Sequence, residues 1–207
     1  MNNKNIIDNH IPCLIKSIGA GTMIGISGYT YLCCNNKYIG ALLFCIGLIT
    51  ICTYNLNLYT GKVGYIIISH NKYDYLLKLI MIIICNAIGC WLISIAPLPD
   101  SILYSLQMSI TNKDIATSFP KSLLCGVLMF IAVDTYKQRN SIVGIIFCVT
   151  AFIISGMEHS IANMYYFFLI PSIKYLVLIF IYIVGNGIGS IIASLILNTK
   201  YHNMDIE

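Results

Sequence analysis

The chain has 207 residues; 58% are hydrophobic, only 10% are charged, and the formal net charge is +4. Mean hydropathy is +0.82. A soluble domain carries about 25% charged residues and could not hide this much apolar surface behind so few charges. Disorder is excluded by the same figures. A thinly spread charge with no basic block argues against a nucleic-acid partner. Residues 1–207 read as one polytopic membrane domain, all-α in class.

A helix needs about 20 apolar residues to cross the bilayer core. The opening MNNKNIIDNHIP is polar and shows no short apolar stretch with a cleavage site, so no cleavable signal is expected. The first span is 17–36, free of Asp, Glu, Lys and Arg. In it Gly21 and Gly25 are four apart and share a face, which lets another backbone approach closely. The second span is 38–61, followed by the half-length piece 63–69. The third is 79–99. The fourth, 122–133, is short between Lys121 and Asp134, and spans if Lys121 snorkels outward and Asp134 sits at the opposite interface. The fifth is 140–157, followed by 161–170, and the sixth is 175–199.

Six spans place both termini on one side. With the N-terminus inside, the cytoplasmic loops and termini hold Lys4, Lys16, Lys72, Lys78, Lys137, Arg139 and Lys200. The outer side holds Lys37, Lys113, Lys121 and Lys174; Lys62 lies beside a break and is uncounted. The excess of basic residues predicts both termini cytoplasmic in an inner, cytoplasmic membrane. No metal site or disulfide is expected. Most of the nine cysteines fall within spans, no CxxC pair occurs, and the four histidines are scattered. No cofactor is expected either.

The third and sixth spans share a pattern, Asn86-Ala-Ile-Gly89 and Asn186-Gly-Ile-Gly189. The second and fifth are both apolar helices that are interrupted and then resume, at 55–61 and at 158–163. Thr60 and His159 stand at nearly the same offset as the Asn/Gly pairs. The chain therefore reads as two copies of a three-span unit, about 14–96 and 119–198. Three spans per copy force opposite orientations, so this is an inverted repeat with broken second and fifth helices. Unpaired backbone survives at membrane depth only inside protein or along a polar cavity, so the two breaks should meet near mid-membrane.

Glu158-His159 is the one ionisable pair deep in a long apolar context, and such groups mark a pathway or a pair. Glu158 is expected to satisfy the broken backbone, its carboxylate tied to the Asn163 loop and turned from the pore, with Asn163 and Asn57 bracing the two loops. His159 has the accessible proton equilibrium. Thr60 in the opposite break can donate to an anion or bond an imidazole. Phe44, Leu48, Leu58, Tyr59 and Phe152 flank the breaks, either as core or as dry collars along a pore.

Gly156-Met-Glu158-His159-Ser160-Ile-Ala162-Asn163-Met164 resembles the signature of the formate/nitrite transporter family. Asn57-Leu58-Tyr59-Thr60-Gly61 is similar to that family's first loop, and 124–133 to its fourth span. The resemblance covers about 15–200. It implies an aquaporin-like arrangement of six spans, assembly as a homopentamer with one pore per protomer, and passage of small monovalent anions such as formate, nitrite or hydrosulfide. It puts His159 and Thr60 at the pathway centre. Phe44 and Phe152 fall at the outer constriction, and Leu48, Leu58 and Tyr59 at the inner one. The vestibule lysine falls on Lys113, with Lys121 the competitor. Departures are neutral Asn57 at the loop start, Tyr59 for Phe, Asp134 for an apolar residue, and Gly126 where Asn is common in the fourth span.

A bare anion faces a steep cost at a dry collar, which protonation removes. The expected function is proton-linked anion passage across the bilayer, with no enzyme activity. Two other classes stand beside it: an ion-coupled transporter of another solute using Glu158, and a haem- or quinone-linked membrane subunit, which would need paired span histidines.

Overall fold

The computed structural model describes residues 3–197, and among these every regular element is helical. Lys200 and the end of the second copy at 198 lie outside the described residues. Helix α1 spans Asn3–Cys33. Helix α2, Lys37–Thr53, starts where the Asn36 side chain accepts from the Tyr38 and Ile39 N–H groups. It stops at Asn55, whose φ of 51° turns the chain out of the helix. An irregular stretch follows, then a 3-10 turn at Val63–Ile68. Helix α3 is Lys72–Ser94 and α4 is Asp100–Thr111. Helix α5 is Ile115–Arg139, α6 Val143–Ile154, α7 Ser160–Leu169 and α8 Ile173–Leu197.

Four helices are long and apolar enough to cross a membrane: α1 from Ile11, α3, α5 and α8. At 1.5 Å per residue, α6 with its 12 residues is about 18 Å long and cannot cross alone. Both α2 and α6 end in irregular chain that leads to a second helical piece, at 54–62 and at 155–159. The second interruption begins and ends earlier than the predicted 158–163. Residues 160–163 already form the first turn of α7, because the His159 side chain accepts the Ala162 N–H and caps it.

The fourth span is longer than the apolar run 122–133. Asp134 is buried within α5 because its carboxylate accepts from the Tyr65 hydroxyl at 2.9 Å and from the Gln138 amide. Asp114 caps the helix start. Bonds from the Thr117 N–H and hydroxyl hold the exposed Asp114 carboxyl below its usual range. Helix α4, a short piece between α3 and α5, has no counterpart among the predicted elements.

Helix α1 packs along α3, and α5 packs along α8. The contact is made backbone to backbone in both pairs. A Cβ on Gly21 would lie 2.0 Å from the Asn86 carbonyl oxygen, and one on Gly126 would lie 2.2 Å from that of Asn186. Gly126 thus faces α8. An Asn side chain does not fit there without separating the helices.

Candidate functional site

Irregular backbone inside an apolar bundle must find partners for its N–H and C=O groups. Asn86 and Asn186, fully buried on α3 and α8, supply them. Asn86 Oδ1 accepts the Tyr59 N–H at 3.0 Å, and its Nδ2 donates to the carbonyls of Asn57 at 2.9 Å and Ser17 at 2.7 Å. Asn186 Oδ1 accepts the Ser160 N–H at 2.7 Å, and its Nδ2 donates to the carbonyls of Glu158 at 2.9 Å and Ser122 at 2.6 Å. One amide therefore pins each break from a neighbouring helix, with the same set of bonds in both. Asn57 adds a bond from its own Nδ2 to the Cys13 carbonyl at 3.1 Å.

The pinned breaks bring Thr60 and His159 together. Thr60 Oγ1 lies 2.9 Å from His159 Nε2, and both residues are buried. His159 Nδ1 accepts the Ala162 N–H at 3.0 Å. That acceptor role assigns the neutral ring's proton to Nε2, directed at the Thr60 oxygen. Phe152 stacks on the imidazole, with ring centroids 5.7 Å apart and planes 22° apart. Phe44 meets Phe152 edge to face at 5.9 Å. Leu48, Leu58 and Tyr59 are buried too, so all five candidate constriction residues lie inside the bundle. The Tyr59 hydroxyl donates to the Ile183 carbonyl at 3.0 Å, which holds it against α8.

Two cavities lie on either side of this pair. One, of about 410 Å3, is lined by Phe44, Phe152, His159, Glu158 and both candidate lysines, Lys113 and Lys121. Lys113 Nζ is 2.8 Å from both oxygens of Glu158. Asn163 Nδ2 donates to Glu158 Oε2 at 3.1 Å and to the His159 carbonyl at 2.9 Å. The expectation of a carboxylate turned from the pathway is corrected: Glu158 is tied to Asn163 but lines the cavity and holds Lys113. Tyr175, unforeseen from sequence, donates to Asn163 Oδ1 at 2.8 Å and so fixes which end of that amide faces Glu158. The other cavity, of about 450 Å3, is lined by Leu58, Lys62, Lys137 and Cys52 among others. All nine cysteines are free thiols.

Crossing-length helices, two interrupted helices pinned at a buried polar pair, and a cavity on each side of that pair describe a helical membrane pore protein. The sequence profile of the formate/nitrite transporters matches residues 3–197, and the chain belongs to that family. Membership makes it a transmembrane protein of an anion-transporting class. A solved FNT family ion channel superposes with a TM-score of 0.77 at 20% identity, covering 96% of this chain and 92% of that one. A pentameric formate channel with formate bound superposes at 0.73 with 17% identity, covering 97% and 99%. At such identities the likeness is one of fold. No curated protein matches the chain.

Proposed function

We propose that the protein passes small monovalent anions (formate, nitrite or hydrosulfide) across the cytoplasmic membrane with proton linkage at His159. The observation that carries this reading is the buried Thr60–His159 contact between two cavities, walled by apolar side chains. Lys121, which forms no ion pair among the described residues, raises the anion's concentration in the outer cavity, where Lys113 is held by Glu158. Phe44 and Phe152 strip its water, and His159 Nε2–H and the Thr60 hydroxyl replace part of it. The anion then leaves as the neutral acid past Leu48, Leu58 and Tyr59, because a charged species meets several kcal/mol of desolvation there.

Proton transfer from the ring has a geometric condition. Giving up the Nε2 proton requires Nδ1 to have gained one, and Nδ1 is occupied by the Ala162 N–H. The cap bond must therefore open before the imidazole lends a proton. Otherwise His159 orients the anion and the proton comes from water in the outer cavity.

The topology belongs to the same proposal: six spans, inverted copies over 14–96 and 119–198, both termini cytoplasmic, and a homopentamer in the bilayer. The matched amide bonds of Asn86 and Asn186 support the two copies. The shared fold with a pentameric channel that holds formate supports the assembly and the substrate class. No enzyme activity or cofactor enters the mechanism.

Flux into liposomes of formate, nitrite, hydrosulfide and acetate at two pH values tests the function. We expect saturable, protein-dependent flux of at least one of the first three, faster at the lower pH. Phe152→Ala should accelerate it several-fold, since that ring closes the outer side of His159; an unchanged rate makes Phe152 ordinary packing. Native mass in mild detergent should equal five chains, and a stable monomer at high concentration counts against the assembly.

A further inference from the structure

In the outer cavity Lys113 is paired with Glu158, whereas neither lysine of the other cavity forms a salt bridge among the described residues. Lys113–Glu158 is the one salt bridge among the described residues. Lys62, directly after Thr60-Gly61, and Lys137, in the last turn of α5, line the 450 Å3 cavity together. Both therefore bring a positive charge to one cavity, and no acidic residue among those described is part of its lining. Asp134, three residues before Lys137 on α5, accepts from the neutral Tyr65 and Gln138, which do not cancel its charge, but it does not line the cavity and forms no ion pair among the described residues. Lys137 Nζ sits 3.7 Å over the Tyr65 ring, which positions it without cancelling its charge.

We propose that this cavity is a binding site for a phosphoryl dianion, and that its occupancy obstructs the anion pathway from that side. The inference rests on the channel reading above for its effect on flux, though not for the site itself. Two like charges sharing one partly enclosed cavity repel, and a monovalent anion cancels only half of them. A group with two charges and several acceptor oxygens can meet both ammonium groups at once. At about 450 Å3 the cavity is far larger than a one-carbon anion needs. A hydrated tetrahedral dianion fits.

Fully buried Leu58 lines the cavity two residues before Thr60. A dianion cannot shed its water there, since desolvating two charges costs far more than desolvating one. Such a ligand is held and does not pass. It occupies the space that a permeant anion must cross to reach the same collar. The phosphoryl group can belong to free phosphate or to an anionic lipid headgroup at the membrane surface.

Binding is measured first, by calorimetry of inorganic phosphate against the purified full-length protein at constant ionic strength in chloride. Wild type should bind saturably, and the Lys62→Gln/Lys137→Gln double variant at least tenfold more weakly. If the double variant does not fold, the exposed single substitution Lys137→Gln should still weaken binding several-fold. Formate flux is then followed in zwitterionic vesicles with phosphate on the Lys62 side, each protein relative to its own phosphate-free rate. Wild type should be inhibited and the variant spared. Vesicles containing phosphatidic acid, without phosphate, should reproduce the difference if the headgroup is the natural ligand. Equal phosphate affinity in wild type and variants, or no effect of either phosphate source on wild type, overturns the site. A wild type that binds phosphate through these lysines yet carries no formate, nitrite or hydrosulfide overturns the channel reading and leaves the site standing.

Discussion

Asn186→Leu should lower stability by about 2–6 kcal/mol and abolish flux, a larger loss than any collar substitution gives. Leucine is close to asparagine in size, so the effect is polar. The change leaves the Ser160 N–H and the Glu158 carbonyl buried without partners, each at about 1–3 kcal/mol. Water cannot rescue them in an apolar bundle. The Ser122 carbonyl loses its amide as well, but it belongs to helix α5 and keeps that helix's own bonding. His159 lies between the two orphaned groups, so its ring should lose its alignment with Thr60. Asn86→Leu should act alike at the first break, through the Tyr59 N–H and the Asn57 carbonyl. The control is Tyr165→Phe. The Tyr165 hydroxyl is buried with no hydrogen-bond partner among the described residues, so its removal should leave stability unchanged or slightly raised. Chemical unfolding in detergent measures all three. Asn186→Leu within about 1 kcal/mol of wild type, with normal flux, would make the amide a bystander.

The role of these two asparagines marks the boundary of what could be read from the sequence. Their equal spacing from the two interruptions was visible, as was the pairing of Thr60 with His159 at nearly the same offset. Charge-free runs located the crossing-length stretches of α1, α3 and α8. They understated α5, because Lys121 and Asp134 look like boundaries until a cavity and the Tyr65 hydroxyl are seen to accommodate them. The start of α7 was misplaced for a related reason. Ser, Thr, Asp and Asn are the usual capping residues, and a histidine in that role leaves no pattern. Helix α4 is short and half polar, so neither span length nor apolar run betrays it. Lys113 and Lys121 could not be told apart by spacing, since both reach one cavity; only the ion pair with Glu158 separates them. That pair also explains why Glu158 faces the cavity. A carboxylate with three donors, two from Lys113 and one from Asn163, needs no retreat into the loop.

His159→Asn should leave the protein folded and remove the pH dependence of formate flux that the ring contributes. Asparagine is among the best capping side chains, so it can accept the Ala162 N–H and keep α7 in place. It offers a polar group towards Thr60 but has no proton equilibrium near neutral pH. In wild type an arriving anion favours the imidazolium, which draws a proton on to the ring as substrate reaches it. The Ala162 N–H opposes this at Nδ1, so proton uptake and the opening of the cap are one event. Flux through wild type should therefore rise as pH falls, through both the acid's own protonation and the ring's. In the variant only the first contribution remains, and the two curves should diverge most on the acidic side, where a tenfold difference corresponds to about 1.4 kcal/mol. Thr60→Ala removes the facing hydroxyl without touching the titration. It should slow flux about two- to tenfold at every pH, the effect of one net hydrogen bond, and keep the wild-type curve shape. The measurement is formate or nitrite flux against pH for the three proteins in the same vesicles. Superimposable curves for wild type and His159→Asn would show that the ring only orients the anion, and that its proton comes from water in the outer cavity.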